Sequence, residues 1–360
     1  MREETAALRQ TITELSHEFG TPDYVKGGGG NTSCKTADTL WIKPSGTTLR
    51  GLTPQAFVAL DRARLDRLYA VAPPADPAAR EALVKRMMEQ AVRPEHPGRA
   101  SVEGPLHNTF SAVFVVHVHP PLINGLTCAR GGRSAAERLY PEALWVPYVD
   151  PGYALCMKVR GLLQDYRRRH GREPALVLLE NHGLFVAADT AAEVRRLFAA
   201  VMSRAAAAYA AAGVATALRA GAPAAAAERE RTAQSIRRWL GAEAAAVRYG
   251  GVFEPADGPL TPDHLLYARA FPLRGEPTEQ SAAAYRAAHG YAPRVIAAPA
   301  GVFGAGPSEN IAALALEMAE DGALVRQLAD AFGGVQYLTP AARAFIENWE
   351  AETYRQQQIQ

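Results

Sequence analysis

The sequence predicts a layered α/β fold over roughly residues 1–212. Three features support this prediction: an amphipathic helical pattern near the N-terminus, two apolar runs typical of buried strands, and helix-start signals around those runs. Strands that alternate with helices along a chain are typical of helical layers packed on a sheet.

The first part of the chain shows helix, loop and strand patterns in turn. Apolar residues spaced four, three and four apart mark one face of a predicted helix: Leu8, Ile12, Leu15 and Phe19. Residues 27–33 (GGGGNTS) predict a loop, where the missing side chains let backbone amides approach a ligand. Residues 40–42 predict a short strand. Thr53-Pro54 predicts the start of a helix that contains Phe57, Leu60, Leu65 and Leu68.

The middle of the chain carries both buried-strand patterns. Residues 113–119 and 175–179 are apolar runs, and residues 152–169 between them predict a helix. Thr190 with Glu193 has the spacing of a capping box and predicts the start of a further helix.

We expect three segments along the chain. A domain over residues 1–212 is followed by a helical linker, rich in alanine and charge, over residues 213–233. A smaller α/β part then covers residues 234–360.

The C-terminal part contains a candidate degenerate repeat. Residues 178–205 align without gaps with residues 296–323, so that Gly183 falls on Gly301, whereas Ala300 stands in the place of His182. Two explanations stay open at this point. Either the segment was duplicated and its second copy lacks the histidine, or two strand–turn–helix units resemble each other by chance.

Composition places the chain among ordinary globular proteins. Of its 360 residues, 48% are hydrophobic and 21% are charged. A formal net charge of +2 favours neither a nucleic-acid partner nor a membrane surface. Because there is no signal-peptide core, no apolar run long enough to span a bilayer, and only three scattered cysteines, we expect a cytoplasmic protein with reduced thiols.

Three histidines stand where they could bind a metal ion. Residues two apart in a strand share a face, so His117 and His119 present their imidazoles side by side. His182 follows the second strand, where a loop can turn its ring toward that pair. Three protein ligands leave one position open, as in catalytic zinc sites. The alternative is a structural role, but burying adjacent imidazoles without a shared partner is costly, which favours the metal site.

Polar residues upstream could complete such a site. Glu103 lies in the segment SVEGPLH, and a carboxylate beside an open metal site can bind the ion or move a proton. The loops at residues 31–33 and 45–47 offer hydroxyls and backbone amides that could hold a phosphate or carboxylate. From the spacing alone, ordinary turn chemistry is the slightly favoured explanation of both loops.

Six segments, in this order, resemble the class II aldolase/adducin family. They are GGGGNTSCK (27–35), LWIKPSGTTL (40–49), ASVEGPLH (100–107), FVVHVHPP (114–121), YVDPGYAL (148–155) and VLLENHGLFV (177–186). TPDHLLYA (261–268) and FIENWEAETYR (345–355) resemble, less specifically, the aldolase part of fused rhamnulose-phosphate aldolase/dehydrogenases.

The resemblance implies a fold, an assembly and a cofactor. The fold would be a three-layer α/β/α sandwich around a mainly antiparallel central sheet, with the smaller C-terminal α/β part added. The assembly would be a homotetramer with active sites between subunits. The cofactor would be Zn²⁺, with Mn²⁺ or Co²⁺ as substitutes, and the partner a small sugar or sugar phosphate.

The resemblance also assigns roles to individual residues. It matches His117, His119 and His182 to the zinc ligands and Glu103 to the catalytic carboxylate. The family's substrate-phosphate positions fall on Asn31, Ser45, Gly46 and Ser101, with Lys43 as an assisting residue.

Among the reactions of the family, these residues favour aldol cleavage. The sugar-phosphate aldolases resemble this chain in having Glu at position 103, whereas the ribulose-phosphate epimerase has Asp there. We therefore expect cleavage of a ketose 1-phosphate or related sugar to a dihydroxyacetone-phosphate-like fragment and an aldehyde, through a metal-stabilised enediolate. Val102 replaces a second serine of fuculose-phosphate aldolase, which leaves an unphosphorylated substrate open. Tyr148 and Tyr153 are candidates for the acid that protonates the aldehyde oxygen.

Two other functions stay open from the sequence. A family-related epimerase, decarboxylase or dehydratase would use the same metal and break a different bond. A non-catalytic module of the adducin kind would lack metal ligands, which this sequence retains.

Overall fold

A computed structural model describes residues 2–349 of the chain, so the end of the FIENWEAETYR segment, residues 350–355, lies outside the described residues. The fold divides into two compact units. The first comprises the described residues up to Ile123 together with Arg133–Ala205. The second comprises Asn124–Gly132 and the described residues from Ala206 onward.

The chain up to Ala211 forms eight helices and seven strands. In order these are α1 (Arg2–Glu18), β1 (Asn31–Lys35), β2 (Thr39–Ile42), β3 (Val58–Asp61), α2 (Arg62–Leu68), α3 (Pro77–Ala91), α4 (Gly104–Thr109), β4 (Phe114–Val118), α5 (Pro121–Thr127), α6 (Gly132–Leu139), β5 (Leu144–Val146), α7 (Tyr153–His170), β6 (Leu176–Leu179), β7 (Gly183–Ala188) and α8 (Ala191–Ala211).

The seven strands form one sheet in the order β3-β2-β1-β4-β7-β6-β5. Every neighbouring pair is antiparallel except β5 with β6, which are parallel. The central pairing aligns Asn31 of β1 with His117 of β4, and His117 in turn with Phe185 of β7. The predicted mainly antiparallel sheet is confirmed.

Helices cover both faces of this sheet. On one face, the side chain of Ser33 contacts His107 of α4, and apolar residues of α4 and α7 pack with those of β4, β6 and β7 in one core. On the other face, Thr32 contacts Ser16 of α1 through their hydroxyl groups. Adjacent residues of a strand point to opposite faces, so the first unit has the three layers expected.

Lys35 joins the sheet to helix α4. Its side chain is buried, and its Nζ donates hydrogen bonds to the carbonyl oxygens of His107 at 2.8 Å and Phe110 at 2.9 Å. These carbonyls belong to the C-terminal end of α4, where the helix itself offers no donor. Lys35 therefore fixes the position of the short helix that follows Glu103.

The second unit is a smaller α/β structure. Its further elements are α9 (Ala226–Leu240), a 3₁₀ turn (Gly241–Ala244), β8 (Ala246–Gly251), α10 (Pro262–Ala268), β9 (Leu273–Arg274), α11 (Glu279–His289), β10 (Val295–Ala298), β11 (Gly301–Gly306), α12 (Glu309–Ala329), a second 3₁₀ turn (Asp330–Phe332) and α13 (Pro340–Glu347). Its sheet has the order β8-β11-β10-β9, with two antiparallel pairs followed by a parallel one.

The two aligned sequence segments form the same succession of elements. Strand β7 and helix α8 begin at 183 and 191, and strand β11 and helix α12 begin 118 positions later, at 301 and 309. Each pair of elements has the same length, six residues for the strands and 21 for the helices. The strand order β4-β7-β6-β5 also matches β8-β11-β10-β9 in its antiparallel and parallel pairings. Duplication as the origin of this likeness stays a prediction.

Two local expectations were wrong. Residues 31–35 form the central strand β1, although residues 27–33 were expected to be a loop. The helix expected from Thr53-Pro54 starts only at Arg62, because residues 58–61 pair with β2 and Asp61 caps the helix by accepting a hydrogen bond from the backbone N of Arg64. Among the described residues, none of the helices is long and apolar enough to cross a membrane.

Candidate metal centre

Three imidazole rings converge at the end of strand β4. The Nε2 atom of His117 lies 3.0 Å from Nε2 of His119 and 3.4 Å from Nε2 of His182. His117 belongs to β4, His119 follows its last residue, and His182 lies in the turn between β6 and β7. Strands β4 and β7 are neighbours in the sheet. The end of β4 therefore meets the turn before β7, although His119 and His182 are 63 residues apart in sequence.

The β6–β7 turn is shaped to bring His182 close to the pair. Asn181 has a φ of 52°, a left-handed conformation that asparagine tolerates better than most residues. A Cβ on Gly183 would lie 2.5 Å from the carbonyl oxygen of Val118 and 2.6 Å from Cδ2 of His119. Only glycine fits there without displacing the backbone or the ring, so Gly183 sets how closely the turn approaches β4.

Contacts within the sheet orient the ring of His117. Its Nδ1 lies 2.9 Å from the carbonyl oxygen of Leu184, which accepts the hydrogen bond of an Nδ1–H group. The ring also stacks on Phe185, with centroids 4.0 Å apart and planes 12° apart. With Nδ1 protonated, the lone pair of Nε2 points toward the other two histidines, as in metal-binding histidines whose second nitrogen donates to a carbonyl.

The spacing of the three nitrogens fits a metal ion. In a tetrahedral site with zinc–nitrogen bonds of about 2.0–2.1 Å, the ligand nitrogens are about 3.3 Å apart. The 3.0 and 3.4 Å separations agree with that figure. His117 and His182 are buried, whereas His119 is partly exposed. Among the described residues, this is the one group of three metal-ligating side chains, and His119 is its partly exposed member.

Glu103 lies beside the histidines. It immediately precedes helix α4, and its side chain makes no capping hydrogen bond to the helix. Its Oε1 is 3.4 Å from Nε2 of His117, and its Oε2 accepts a hydrogen bond of 2.9 Å from Nδ2 of Asn31. The two carboxylate oxygens therefore face different neighbours, one toward the metal centre and one toward the sheet.

The structure brings most of the expected phosphate residues to the same place. Nδ2 of Asn31 also donates to Oγ of Ser101, and the backbone N of Ser101 donates to the carbonyl oxygen of Lys43 at 3.1 Å. The backbone N of Ser45 bonds the carbonyl oxygen of Arg99, so the turn at 44–46 lies against the segment before Glu103. Nζ of Lys43 donates to the carbonyl oxygen of Thr47 at 2.7 Å.

Two hydroxyls that the sequence offered as possible ligand contacts are used inside the fold. Thr32 and Ser33 are fully buried in strand β1. The Thr32 hydroxyl lies 2.7 Å from that of Ser16, and Oγ of Ser33 lies 2.8 Å from Nδ1 of His107. Both belong to internal contacts on opposite faces of the sheet.

The candidate acid tyrosines have other contacts. The hydroxyl of Tyr148 donates to Oδ1 of Asp150 at 3.2 Å, and the hydroxyl of Tyr153 donates to the carbonyl oxygen of Val71 at 3.5 Å. Burial raises the pKa of both phenols. In the described part of the chain, neither tyrosine hydroxyl contacts Glu103 or the three histidines.

Sequence analysis missed two buried ionisable residues near Glu103. Burial lowers the pKa of His107 well below its usual value, and the charges of His117, Lys35 and Lys43 lower it further. Burial also lowers the pKa of Lys35 to about 7. A signal for His107 was present, since it follows Glu103 by four residues with a first-turn proline between them, which predicts one shared helix face.

Comparison with known proteins identifies a family for most of the first unit. The sequence model of the family described as Class II Aldolase and Adducin N-terminal domain matches residues 10–209. No curated protein matches the chain significantly.

Solved structures resemble little more than half of the chain. The N-terminal class II aldolase domain of a conserved protein from Thermoplasma acidophilum is 24% identical, over 54% of this chain and 90% of that one, with a TM-score of 0.47. The L-fuculose-1-phosphate aldolase from Thermus thermophilus is 19% identical, over 57% and 94%, with a TM-score of 0.37. YgbL from Klebsiella pneumoniae, a putative aldolase/epimerase/decarboxylase, is 18% identical, over 56% and 88%, with a TM-score of 0.39.

The family match contains Glu103 and the three converging histidines and covers more than half of the chain, which confirms the resemblance noted from the motifs. This chain belongs to the class II aldolase and adducin family.

Proposed function

We propose that this protein is a metal-dependent aldolase, a carbon–carbon lyase. It would cleave a ketose 1-phosphate or related sugar to a dihydroxyacetone-phosphate-like fragment and an aldehyde. The observation that carries the proposal is the carboxylate of Glu103, with Oε1 3.4 Å from Nε2 of His117, beside three converging imidazoles. Glu103 would then act as a proton carrier at the edge of the three-histidine site.

We assign the metal to His117, His119 and His182 and favour Zn²⁺, with Mn²⁺ or Co²⁺ as substitutes. Three neutral nitrogen ligands suit zinc, and a fourth coordination position at the partly exposed His119 would take substrate oxygens. A divalent cation there would supply Lewis-acid stabilisation of the negative charge that develops when the carbon–carbon bond breaks.

Glu103 is the proposed acid–base residue. Its Oε2 is held by Asn31, and its Oε1 remains on the side of the metal centre, where a substrate hydroxyl or carbon would lie. A carboxylate in this position can take up the proton released during cleavage and return it to the nucleophilic carbon of the product. Asn31 would therefore have two roles: it holds Glu103, and it lies near the proposed phosphate site, as expected.

We propose the turn around Ser45 and Gly46, with Ser101 and Lys43, as the substrate-phosphate site. The turn lies against residues 99–101, directly before Glu103. Gly46 has a φ of 79°, a left-handed conformation that glycine adopts without strain. Lys43 brings a positive charge to the same turn.

The wider organisation is part of the proposal. Residues 1–212 would form the catalytic domain, 213–233 a helical linker, and 234–360 a C-terminal α/β subdomain. We also propose a cytoplasmic homotetramer. The three cysteines are buried and form no disulfide bond, which suits a reducing compartment. Light scattering coupled to size-exclusion chromatography would measure the assembly.

Metal loading and product analysis test the proposed reaction. The protein would be stripped with a chelator, reloaded with Zn²⁺, Mn²⁺ or Co²⁺, and supplied with ketose 1-phosphates, unphosphorylated ketoses and sugar-acid phosphates. We expect NMR to detect a triose phosphate and an aldehyde. Epimerised, decarboxylated or dehydrated products would instead identify one of the related reactions, and failure to bind any metal would favour a non-catalytic module.

The variant E103Q tests the role of the carboxylate. We expect metal content to be unchanged and cleavage to fall by at least about 100-fold, because the amide cannot carry the proton. E137Q, a change at an exposed carboxylate, is the matched control and should retain full activity. Full activity in E103Q would rule Glu103 out.

A further inference from the structure

We propose that His107 is a positioning residue for Glu103, and that Ser33 sets the tautomer in which His107 acts. Nε2 of His107 would carry its proton toward Oε2 of Glu103 and hold that oxygen in place, which leaves Oε1 for the reaction. The inference rests on the proposed function, since it assigns a purpose to the orientation of the proposed acid–base residue.

The geometry places the imidazole directly behind the carboxylate. Glu103 and His107 are separated by one turn at the start of helix α4, and Nε2 of His107 lies 3.9 Å from Oε2 of Glu103. His107 is fully buried, and its ring packs edge-on against Phe185, with centroids 5.4 Å apart. The same Phe185 stacks on His117, so one aromatic ring separates the positioning histidine from the metal centre.

Ser33 contacts the other ring nitrogen of His107, and its hydroxyl donates there in the proposed tautomer. Oγ of Ser33 lies 2.8 Å from Nδ1 of His107, and Ser33 is fully buried. A hydroxyl that donates to Nδ1 leaves the only N–H of a neutral imidazole on Nε2, facing the carboxylate. The opposite tautomer would direct the lone pair of Nε2 at a carboxylate oxygen, which is electrostatically unfavourable.

The buried Nε2 of His107 needs a hydrogen-bond partner. Within the described part of the chain it has none at bonding distance, and Oε2 of Glu103 lies 3.9 Å away. Leaving such a buried donor unpaired is costly, and a shift of Glu103 by about 1 Å would form the bond. We infer that the carboxylate takes this position in the working enzyme.

The two oxygens of Glu103 would then have separate tasks. Oε2 would accept from two donors, Nδ2 of Asn31, already at 2.9 Å, and Nε2 of His107. Oε1 would stay on the side of His117, at the open site. A carboxylate held through one oxygen cannot rotate freely, so the other oxygen stays aligned with the substrate.

Substitutions of His107 separate positioning from packing. In H107Q the side-chain amide nitrogen can take the place of Nε2 and donate to Glu103, whereas H107L fills the space without a donor. We expect H107L to lose between about 10- and 100-fold in kcat, with KM and the dissociation constant for Zn²⁺ changed less than about threefold. H107Q should recover most of the loss. Equal losses in both variants, with thermal stability lowered in parallel, would overturn the proposal in favour of packing alone.

The tautomer is measured without any substrate. In ¹⁵N-labelled protein, we expect two-bond ¹⁵N–¹H correlations to place the His107 proton on Nε2. S33A should shift the ring toward a mixture of tautomers, whereas T32V, which removes a buried hydroxyl from the opposite face of the same strand, should leave it unchanged. A proton on Nδ1 in the unaltered protein would overturn the proposal.

The two proposals fail in different ways. If His107 has the expected tautomer but no substrate is cleaved, the aldolase assignment is wrong. If cleavage depends on Glu103 while H107L is fully active, the aldolase assignment stands and the positioning role is wrong.

Discussion

Replacing Lys35 by methionine should change how the stability of the protein depends on pH. Lys35 is fully buried, and desolvation lowers its pKa to about 7 from an ordinary value of 10.5. Between these two values the folded chain binds fewer protons than the unfolded chain. Stability therefore rises with pH across this window, and the contribution is lost as the pH falls through about 7.

The size of the effect follows from the two pKa values. The difference between 10.5 and about 7 corresponds to roughly 5 kcal/mol over the whole window. Between pH 7.5 and 9.5 alone, the free energy of unfolding should rise by about 2–3 kcal/mol more in the unaltered protein than in K35M. No reduction for solvent screening applies, because the ammonium group is out of contact with water.

Urea unfolding of the metal-free protein at several pH values measures this difference. Each midpoint and slope would be followed by circular dichroism for both proteins. K35M should be less stable at high pH, since two carbonyl oxygens at the end of α4 lose their donor. Parallel stability curves for the two proteins between pH 7.5 and 9.5 would refute the reasoning and indicate that the amino group stays charged in the folded chain.

Two further predictions concern the turn at the metal centre and the helices that follow the paired strands. In G183A the new Cβ would displace His119, so we expect isothermal titration calorimetry to show at least about tenfold weaker Zn²⁺ binding. The control is G301A, which would strain the corresponding turn of the second unit, where the φ of Gly301 is +125°. G301A should lower stability and leave Zn²⁺ binding unchanged. Equal Zn²⁺ affinities for the two variants would contradict the assigned role of Gly183. The hydroxyls of Thr190 and Ser308 accept hydrogen bonds from the first turns of α8 and α12, so T190A and S308A should each cost about 1 kcal/mol in urea unfolding. A change below about 0.3 kcal/mol in either variant would show that the cap is not formed in solution.

The sequence patterns allowed the strands next to the three histidines to be predicted. The alternation of side chains in a strand predicted that His117 and His119 share a face, and the structure brings them to 3.0 Å through Nε2. Residues 113–119 and 152–169 correspond to β4 and α7 within one or two residues. Their roles in binding a metal stay predictions.

The central strand β1 could not be predicted because its side chains are small and polar. A buried strand normally shows an apolar run, but Thr32 and Ser33 are satisfied by Ser16 and His107, which come from other parts of the chain. Strand β3 was missed for a related reason. Residues 57–60 are all apolar, so their pattern fits a helix and a strand equally well. Only the pairing of residues 58–61 with β2 shows that they form a strand.

The likeness between the two sheets shows which residues of the strand–turn–strand unit the fold needs and which it does not. In the second unit a strand, a turn, a strand and a 21-residue helix form with Ala300 where the first unit has His182, while glycine stands at the next position in both. The path of the backbone thus depends on the glycine and does not require the histidine side chain. Three rings with polar nitrogens crowded together are costly for folding alone, which favours the proposed metal site in the first unit.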